Sequence, residues 1–416
     1  MLPAIGNSFV YIAFFISLFF EVFLLITYLE KREHMKTEIK RVKKSDWWPS
    51  VTIIVPCYNE EKTVTKTILS LLALSYPKDK FKILAIDDGS TDNTLQILEQ
   101  FKDNSQIEVY TKENGGKYTA LNFALEKTTS EMVGCLDADS FVEPETLHRI
   151  ICHFEDDNVM AVTPAIVVHE PKNIIQVVQS VEYAWGIFIC KMLSYLGALR
   201  VTPGPFSIFR TEVFRKLGGY KEAYHTEDLE YALRMQKNHY KIVNAHDAKV
   251  HTVVPKNVKA LYKQRVRWTY GFINNSIDYK SLFFKKEYGN LGLLTLPIAV
   301  LTIFFALYST GAFLFNFVVR MSTEFQRYQA IGLDFGAFKF FTFDWFFTNT
   351  DSIVILALIV WFLSMSIIVL SRVITEGKFR FSLDLLYFIP IYSLIVPFWL
   401  MKAIYNTILS KNISWR

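Results

Sequence analysis

The chain has 416 residues, of which 51% are hydrophobic and 16% aromatic, and its formal net charge is +5 at pH 7. This length allows one large domain, or one domain together with membrane segments. The second option is favoured because the hydrophobic excess lies at the two ends of the chain, while the centre alternates like a soluble protein. The small net charge argues against nucleic acid as a partner, since one short basic run beside an apolar stretch accounts for most of it.

The first predicted element is a membrane-spanning helix from Phe9 to Leu29, within a segment covering residues 1–30. An apolar stretch of roughly 20 residues is what a helix needs to cross a bilayer, and this one is too long for the core of a signal peptide. Glu21 lies near its middle, where a carboxylate is costly. We expect Glu21 either to pack against another helix or to line a polar passage for a polymer.

A basic cytosolic linker is predicted at residues 31–48. The run from Lys31 to Lys44 holds seven basic and two acidic residues. Positive charge directly after an apolar span favours the cytosolic side of a membrane, so the N-terminus is predicted to lie outside. The four cysteines are scattered without metal-ligand spacing, which is typical of reduced cytosolic thiols.

Strands alternating with helices are predicted between residues 49 and 271. The short apolar runs VTIIVP and FKILAIDD are typical of buried strands, and each is followed by a polar turn and a helical stretch. This alternation predicts an α/β fold with a doubly wound, mostly parallel sheet. In such sheets ligands bind beyond the carboxyl ends of the strands, so polar clusters at those ends are the candidate sites.

Residues 174–199 are predicted to form an interfacial helix within this domain. The segment is apolar and aromatic, but it contains Gln176, Gln179, Glu182 and Lys191, and such polar residues suit a helix lying in the membrane surface better than a span. A single crossing here would also place the candidate carboxylates before and after it on opposite sides of the membrane.

Residues 272–416 are predicted to hold an interfacial segment and about three membrane spans. The spans are Leu291–Val319, Ile353–Leu370 and Leu385–Leu400, and the aromatic segment Ile331–Thr348 is expected at an interface. Four spans in all would place the C-terminus outside, although its modest positive charge would favour the inside.

Four polar clusters lie where predicted strands end. They are PCYNEE (Pro56 to Glu61), DDGSTDNT (Asp87 to Thr94), LDADS (Leu136 to Ser140) and HTEDLE (His225 to Glu230). Each alone fits an ordinary turn, because acidic residues and Asp-Gly pairs are common there. Their order on one scaffold favours a shared site.

Two of these clusters carry candidate chemistry. Asp137 and Asp139 place hard oxygen ligands one residue apart at the sheet edge, which suits Mg²⁺ or Mn²⁺ shared with a diphosphate. Asp228 follows Glu227 where an amphipathic helix opens, so it can act as a base toward an incoming hydroxyl. It can equally serve as a favourable acid at the helix start.

Two basic positions have open interpretations. Lys117 follows two glycines and opens a helix, where it is either a phosphate contact or a solvated surface lysine. The stretch QRVRWTYG, from Gln264 to Gly271, places basic and aromatic residues close to the apolar C-terminal part of the chain. Such residues are typical of membrane anchoring, and the alternative is that the stretch belongs to the site.

The ordered motifs VPCYNE, DDGSTD, NGGK, DAD, TED and Q-x-x-R-W resemble those of the membrane-integrated processive glycosyltransferases of family 2. This family includes synthases of cellulose, chitin, hyaluronan and poly-N-acetylglucosamine. The resemblance covers Val51 to Gly271 and the flanking spans. It implies a GT-A catalytic domain on the cytosolic face, a UDP-sugar donor, a divalent metal (Mg²⁺ or Mn²⁺) and inverting transfer onto a β-linked polymer, with N-acetylglucosamine as the best-matched sugar and export as a coupled step.

The resemblance also implies roles for single residues. The donor-binding positions are Tyr58, Glu60, Asp87, Lys117 and Asp137. The metal positions are Asp139 and Asp137, and the catalytic positions are the base Asp228 and its neighbour Glu227. The positions for the acceptor and the diphosphate are Gln264, Arg267 and Trp268.

The remainder of QRVRWTYG is expected to stay at the membrane. Arg265, Tyr270 and the later Lys285 and Lys286 would serve the interface, while Gln264, Arg267 and Trp268 of the Q-x-x-R-W motif line the cleft. The stretch TPGPFSIFR, from Thr202 to Arg210, lies where the family has an acceptor-site segment, but its two prolines depart from the usual pattern. Only its location is carried over.

The expected partners are a UDP-sugar, a polysaccharide or lipid-linked acceptor, membrane lipids and, in some family members, accessory subunits. The protein is expected in the plasma membrane with its catalytic domain in the cytosol. An alternative is single sugar transfer to a lipid such as a polyprenyl phosphate, diacylglycerol or ceramide. A transporter or a non-catalytic scaffold is allowed by the apolar ends alone, but not by an α/β domain that carries both carboxylate sites.

Overall fold

The computed structural model describes residues 2–42, 46–331, 352–376 and 384–409. They form two compact units. The smaller comprises Met1–Phe23 and Ile298–Ser366, and the larger comprises Leu24–Pro297 and Ile367–Arg416. The predicted interfacial segment Ile331–Thr348 lies outside the described residues beyond its first position.

The larger unit contains a mixed sheet of eight strands flanked by helices. The strands are β1 Val51–Cys57, β2 Phe81–Asp87, β3 Ile107–Thr111, β4 Met132–Cys135, β5 Ser140–Val142, β6 Val159–Val168, β7 Ile208–Arg210 and β8 Lys241–Thr252. The described α-helices are α1 Leu2–Val42, α2 Val64–Leu72, α3 Thr94–Glu99, α4 Lys117–Lys127, α5 Thr146–Ile151, α6 Ile174–Tyr195, α7 Thr211–Leu217, α8 Glu227–Lys237, α9 Val258–Asp278, α10 Leu296–Ile331, α11 Ser352–Glu376 and α12 Asp384–Ile408.

The strand order is β3-β2-β1-β4-β7-β6-β8-β5. Strands β3, β2, β1 and β4 pair in parallel, so the predicted doubly wound α/β fold is confirmed. Strands β1, β2 and β4 are mostly apolar because helices cover both faces of a parallel sheet, whereas β3 at the sheet edge is IEVYT and only partly buried. Val51, Ile53 and Val55 of β1 belong to the same buried core as Val64 and Ile68 of α2.

The other half of the sheet is mixed. Strand β7 is antiparallel to both β4 and β6, and β5 is antiparallel to β8. Strands β6 and β8 are parallel, with register shifts on both sides of the segment from Ala161 to Thr163. At the second shift Asn244 donates hydrogen bonds to the Thr163 carbonyl (3.2 Å), the Thr163 hydroxyl (3.0 Å) and the Pro164 carbonyl (3.1 Å).

Helix α6 packs on β6 and β8 and contacts α12. It starts where the sequence predicts and ends at Tyr195, short of the predicted Leu199. The Asn173 side chain caps its first turn by accepting from the Gln176 amide. Lys191 is buried and bonds both to the Glu38 carboxylate (2.7 Å) and to the Asn244 carbonyl (2.9 Å). The polar side chains Gln176 and Lys191 of α6 thus form hydrogen bonds within the protein. The position of α6 at a membrane interface stays a prediction.

Among the described residues, four helices are long and apolar enough to cross a membrane. They are Ser8–Ile39, Leu291–Ala330, Ser352–Thr375 and Tyr387–Ile408. These helices overlap the four predicted spans, and α6 is not one of them.

Glu21 packs within the smaller unit. Its Oε1 accepts a hydrogen bond from the Ser364 hydroxyl, and the side chain is buried. A buried carboxyl group in an apolar helix is tolerated when a neighbouring helix supplies a donor. This contact favours the packing interpretation of Glu21 over the lining of a passage.

Replacing Asn244 with alanine should destabilise the larger unit. The buried carbonyls at the register shift would lose their donors, and this costs about 1–3 kcal/mol of unfolding free energy. Chemical denaturation in detergent micelles measures the change, with the exposed Asn158→Ala as the matched control. Equal stability of the two variants would show that the Asn244 bonds do not hold the shift.

Candidate active site

The first two polar clusters lie side by side because β1 and β2 end in register at Cys57 and Asp87. Hydrogen bonds join the turns that follow. The Asn59 side chain accepts from the Thr91 amide (2.8 Å), and the Glu60 amide donates to the Thr94 hydroxyl (2.8 Å). Asn59 adopts a positive φ of 55°, which asparagine tolerates better than most residues. The turn carrying Tyr58 and Glu60 is therefore held against the second cluster.

The two aspartates of DDGSTD have different partners. Asp87 accepts from the Thr111 hydroxyl (3.1 Å). Asp88 accepts from the backbone amides of Gly115 (3.2 Å) and Gly116 (2.9 Å), and it pairs with Lys112 at 2.7 Å. Asp88 thus shapes the glycine turn before α4. The sequence prediction omitted it, and the doubled aspartate was the available signal.

Lys117 lies at the centre of the site. Its Nζ is 2.6 Å from the Asp137 carboxylate and 3.5 Å from that of Glu227. Burial works against its charge, but Asp137, Cys135 and Glu227 outweigh burial and raise the pKa of Lys117 well above its usual value. Lys117 is therefore a paired cation that joins the DAD and TED motifs, and the solvated surface-lysine interpretation is wrong.

Asp139 lies in a concentration of negative charge. Burial raises the pKa of Asp139 to about 7, with further contributions from the charges of Asp137 and Glu60, while the Ser140 hydroxyl and Lys117 oppose the shift. Carboxylates crowded in this way favour protonation or a cation, because like charges are costly where water is excluded.

A divalent cation fits this donor set if the phosphates of a substrate supply further ligands. Among the described residues no group of three or more His, Cys, Asp or Glu side chains could enclose a metal ion. Mg²⁺ is usually held by one or two carboxylates together with substrate phosphates, rather than by a cage of protein ligands alone. The pair Asp137 and Asp139 meets that pattern, so the residues fit a metal shared with a diphosphate.

Asp228 lies in the first turn of α8. Its Oδ1 accepts from the Leu229 amide at 2.8 Å, and its backbone carbonyl accepts from the Thr202 hydroxyl at 2.9 Å. Burial and the charge of Glu227 raise the pKa of Asp228 to about 6, against the opposing charges of Lys117 and Arg267. A carboxylate of this pKa is well matched to general-base catalysis near neutral pH.

The segment TPGPF covers the Lys117 pair. A Cβ placed on Gly204 would lie 2.6 Å from the Lys117 Nζ and 3.3 Å from an Asp137 oxygen, so glycine allows this close approach. A small pocket opens between the segment and the TED motif. Its lining residues are Lys117, Leu121, Cys135, Thr202, Pro203, Gly204, Ser207, Phe209, Tyr220, Glu227 and Asp228.

The stretch QRVRWTYG lies on α9, and its residues point to different neighbours. Arg267 donates to the His225 carbonyl at 3.0 Å, and its charge acts on Asp228. Trp268 is half-buried, with the Arg265 guanidinium 4.2 Å from the centre of its ring. The Oε1 atom of Gln264 is buried and has no hydrogen-bond partner among the described residues.

The expected interfacial role of Arg265 and Tyr270 is wrong. Only 4% of Arg265 and 5% of Tyr270 are exposed. Arg265 pairs with Glu182 at 2.5 Å. Although burial disfavours the cation, Glu182 and neighbouring tyrosines raise the pKa of Arg265 above its usual value. Protein contacts, rather than lipid headgroups, account for this arginine.

Helix α9 also packs directly on the TED turn. A Cβ on Gly271 would lie 2.2 Å from the Thr226 hydroxyl oxygen and 2.8 Å from its Cβ. Asn275, one turn further along, donates to the same hydroxyl at 3.0 Å. Gly271 therefore sets the distance between α9 and the start of α8.

The fold and the site define a class of protein: an α/β domain with paired acids and a half-buried lysine at its strand ends, joined to apolar helices. Residues 52–218 match the model of glycosyl transferase family 2. This match confirms the resemblance that the ordered motifs show within residues 52–218.

Two similar proteins are poly-beta-1,6-N-acetyl-D-glucosamine synthases. That of Staphylococcus aureus strain COL is 30% identical over 268 residues, which make up 64% of this chain and 65% of that protein. That of Staphylococcus epidermidis is 32% identical over 247 residues, or 58% of this chain and 57% of that protein. The match spans less than two thirds of either relative.

A solved structure shares the fold. The mannosyltransferase PcManGT from Pyrobaculum calidifontis, in complex with GDP-Man and Mn²⁺, superposes with a TM-score of 0.64 over 99% of this chain and 100% of that chain. The two sequences are 17% identical, so this likeness concerns the fold alone.

Replacing Gly271 with alanine should displace the TED turn. The new methyl group would overlap Thr226, and overpacking of this kind typically costs about 1–3 kcal/mol. Since small displacements of catalytic groups are costly, we expect a fall in glycosyl transfer of about ten- to a hundredfold. Thermal unfolding and transfer rates in lipid vesicles measure both effects.

Gly186→Ala is the matched control, because Gly186 is also helical and a Cβ there would meet nothing within 4 Å. Its transfer rate should equal that of the unmodified chain. Full activity of Gly271→Ala would show that the TED turn tolerates movement of α9.

Proposed function

We propose that this protein is an inverting glycosyltransferase that moves N-acetylglucosamine from a UDP-sugar onto a growing β-linked polysaccharide. The observation that carries the proposal is the position of Lys117 between Asp137 and Glu227. It connects a residue of the predicted donor site with Glu227, the neighbour of the predicted base Asp228. Similarity to two poly-N-acetylglucosamine synthases supports the choice of sugar and of a polymeric product.

The reaction is a single displacement at the anomeric carbon. Asp228 accepts the proton of the acceptor hydroxyl, and the oxygen forms a bond to the anomeric carbon as the bond from that carbon to the diphosphate breaks. UDP leaves with the electron pair. Lys117 and Arg267 stabilise the negative charge that develops on it. Attack opposite the leaving group converts an α-linked donor into a β-linked product.

The donor is held by residues from the first three clusters. Tyr58, Glu60 and Asp87 contact the nucleoside, and Lys117 with Asp137 lies at the diphosphate. A divalent metal held by Asp137 and Asp139 would neutralise charge on the departing diphosphate, and Mg²⁺ or Mn²⁺ suits these oxygen ligands.

The acceptor lies on the side of α9. Trp268 stacks on the terminal sugar, since a ring presents a flat apolar face to a pyranose, and Gln264 supports the surrounding segment. The catalytic domain faces the cytosol of the plasma membrane, as the basic run after the first apolar helix favours. The polymer would then leave beside α12, the apolar helix that packs against α9.

Purified protein in lipid vesicles should release UDP with UDP-N-acetylglucosamine faster than with other UDP-sugars when Mg²⁺ or Mn²⁺ is added. The product should be retained on a gel as a polymer. A single glycolipid extracted by organic solvent would instead establish the lipid-acceptor alternative. If no UDP-sugar leads to release of UDP, the proposed function is wrong.

Asp228→Asn should lower kcat by about 10²–10⁴, the usual contribution of a general base. In the unmodified protein kcat should fall about tenfold per pH unit below about pH 6, because the protonated carboxyl cannot accept the hydroxyl proton. The exposed Asp278→Asn is the control and should keep both the rate and the pH profile. Normal turnover of Asp228→Asn would remove Asp228 from the mechanism.

A further inference from the structure

Arg265 occupies a position within Q-x-x-R-W that the motif leaves unspecified, yet it has the most confined surroundings of that stretch. The guanidinium contacts Glu182 at 2.5 Å on one side and lies 4.2 Å from the ring centre of Trp268 on another. A planar guanidinium can stack on an aromatic face while its edge binds a carboxylate. Arg265 therefore contacts the aromatic residue proposed to meet the acceptor.

The pair is anchored to a third helix. The Tyr392 hydroxyl of α12 donates to the same Glu182 oxygen that Arg265 contacts. Tyr392 is buried, and its ring packs against those of Phe388 and Trp399, with centroids 4.8 and 5.9 Å away. A continuous line of contacts thus runs from α12 through Glu182 on α6 to Arg265 and Trp268 on α9.

An ion pair is a weak means of holding helices together when it is buried. Desolvation can cancel the attraction, and apolar residues of similar size are often as stable in its place. An ion pair does supply direction, because the hydrogen bond from Arg265 to Glu182 holds the guanidinium carbon 4.2 Å from the centre of the indole ring. The arrangement suits orientation of Trp268 better than it suits stability alone.

We propose that Arg265 is a positioning residue that holds the Trp268 ring in the orientation required to stack on the acceptor sugar, and that Glu182 and Tyr392 tie this orientation to α12. The proposal rests on the proposed function only where Trp268 is said to meet a sugar. Loss of Arg265 leaves donor binding intact and weakens retention of the acceptor. The polymer then dissociates earlier and is shorter.

The test uses the full chain in lipid vesicles with UDP-N-acetylglucosamine. Arg265→Gln should shorten the product at least tenfold while the donor KM stays within twofold of that of the unmodified chain. Arg265→Lys should recover part of the length, because it keeps the charge and loses the planar contact. The fluorescence of Trp268, isolated by subtracting the spectrum of a matching Trp268→Phe variant, should shift and become more accessible to acrylamide in Arg265→Gln.

Two further variants separate orientation from stability. Glu182→Gln/Arg265→Met removes both charges, so it should keep the thermal midpoint of the unmodified chain and still make short products. Arg372→Gln breaks another buried pair, Arg372 with Asp384 at 2.5 Å, and should leave product length and Trp268 fluorescence unchanged.

Full product length in the double variant would overturn the proposal, since the pair would then serve stability alone. Equal shortening by Arg372→Gln would overturn the proposal too, because the loss of any buried charge would then be enough to shorten the product. If the unmodified chain makes no polymer but Arg265→Gln still alters Trp268 fluorescence, the proposed function fails and the positioning of the ring is supported.

Discussion

The active site depends on one ion pair network, that of Lys117 with Asp137 and Glu227. Asp139 and Asp228 lie close to the same acids, and carboxylates brought together away from water repel each other strongly. The lysine makes this concentration of negative charge possible. It occupies the first position of α4, and Asp88 holds the glycine amides before it. The turn before α4 therefore fixes the position of the lysine that joins the two acidic motifs.

Asp228 shows how one residue serves both structure and chemistry. It lies in the first turn of α8, where the helix dipole favours a negative charge. Burial and Glu227 act in the opposite direction and raise the pKa of Asp228. The balance leaves a carboxylate that is ionised at neutral pH and still basic enough to accept a proton. The two interpretations that the sequence left open are compatible in this residue.

Helix α9 connects the site to the apolar helices of the larger unit. Its Gly271 approaches Thr226 of the TED turn, Arg267 bonds to the neighbouring His225 carbonyl, and Arg265 meets Glu182. The same helix packs against α12. A domain that adds sugars beside a membrane needs such a connection if the product is to enter the bilayer without release. The residues proposed to meet the acceptor thus lie on a helix that packs against another helix apolar enough to span a membrane.

The sequence by itself determined the alternation of strands and helices, the apolar helices and the places of the motifs, because each rests on residues that are close together in the sequence. Strands β5 and β7 could not be predicted from the sequence, because a strand of three residues is too short to show alternation. Their directions are determined by pairing with strands that are distant in the sequence. Arg265 was misassigned for a related reason. Beside a membrane, a basic residue that anchors and one that is buried look the same until its partners are known. Those partners are brought together only by tertiary packing, across 83 residues between Arg265 and Glu182 and 210 between Glu182 and Tyr392.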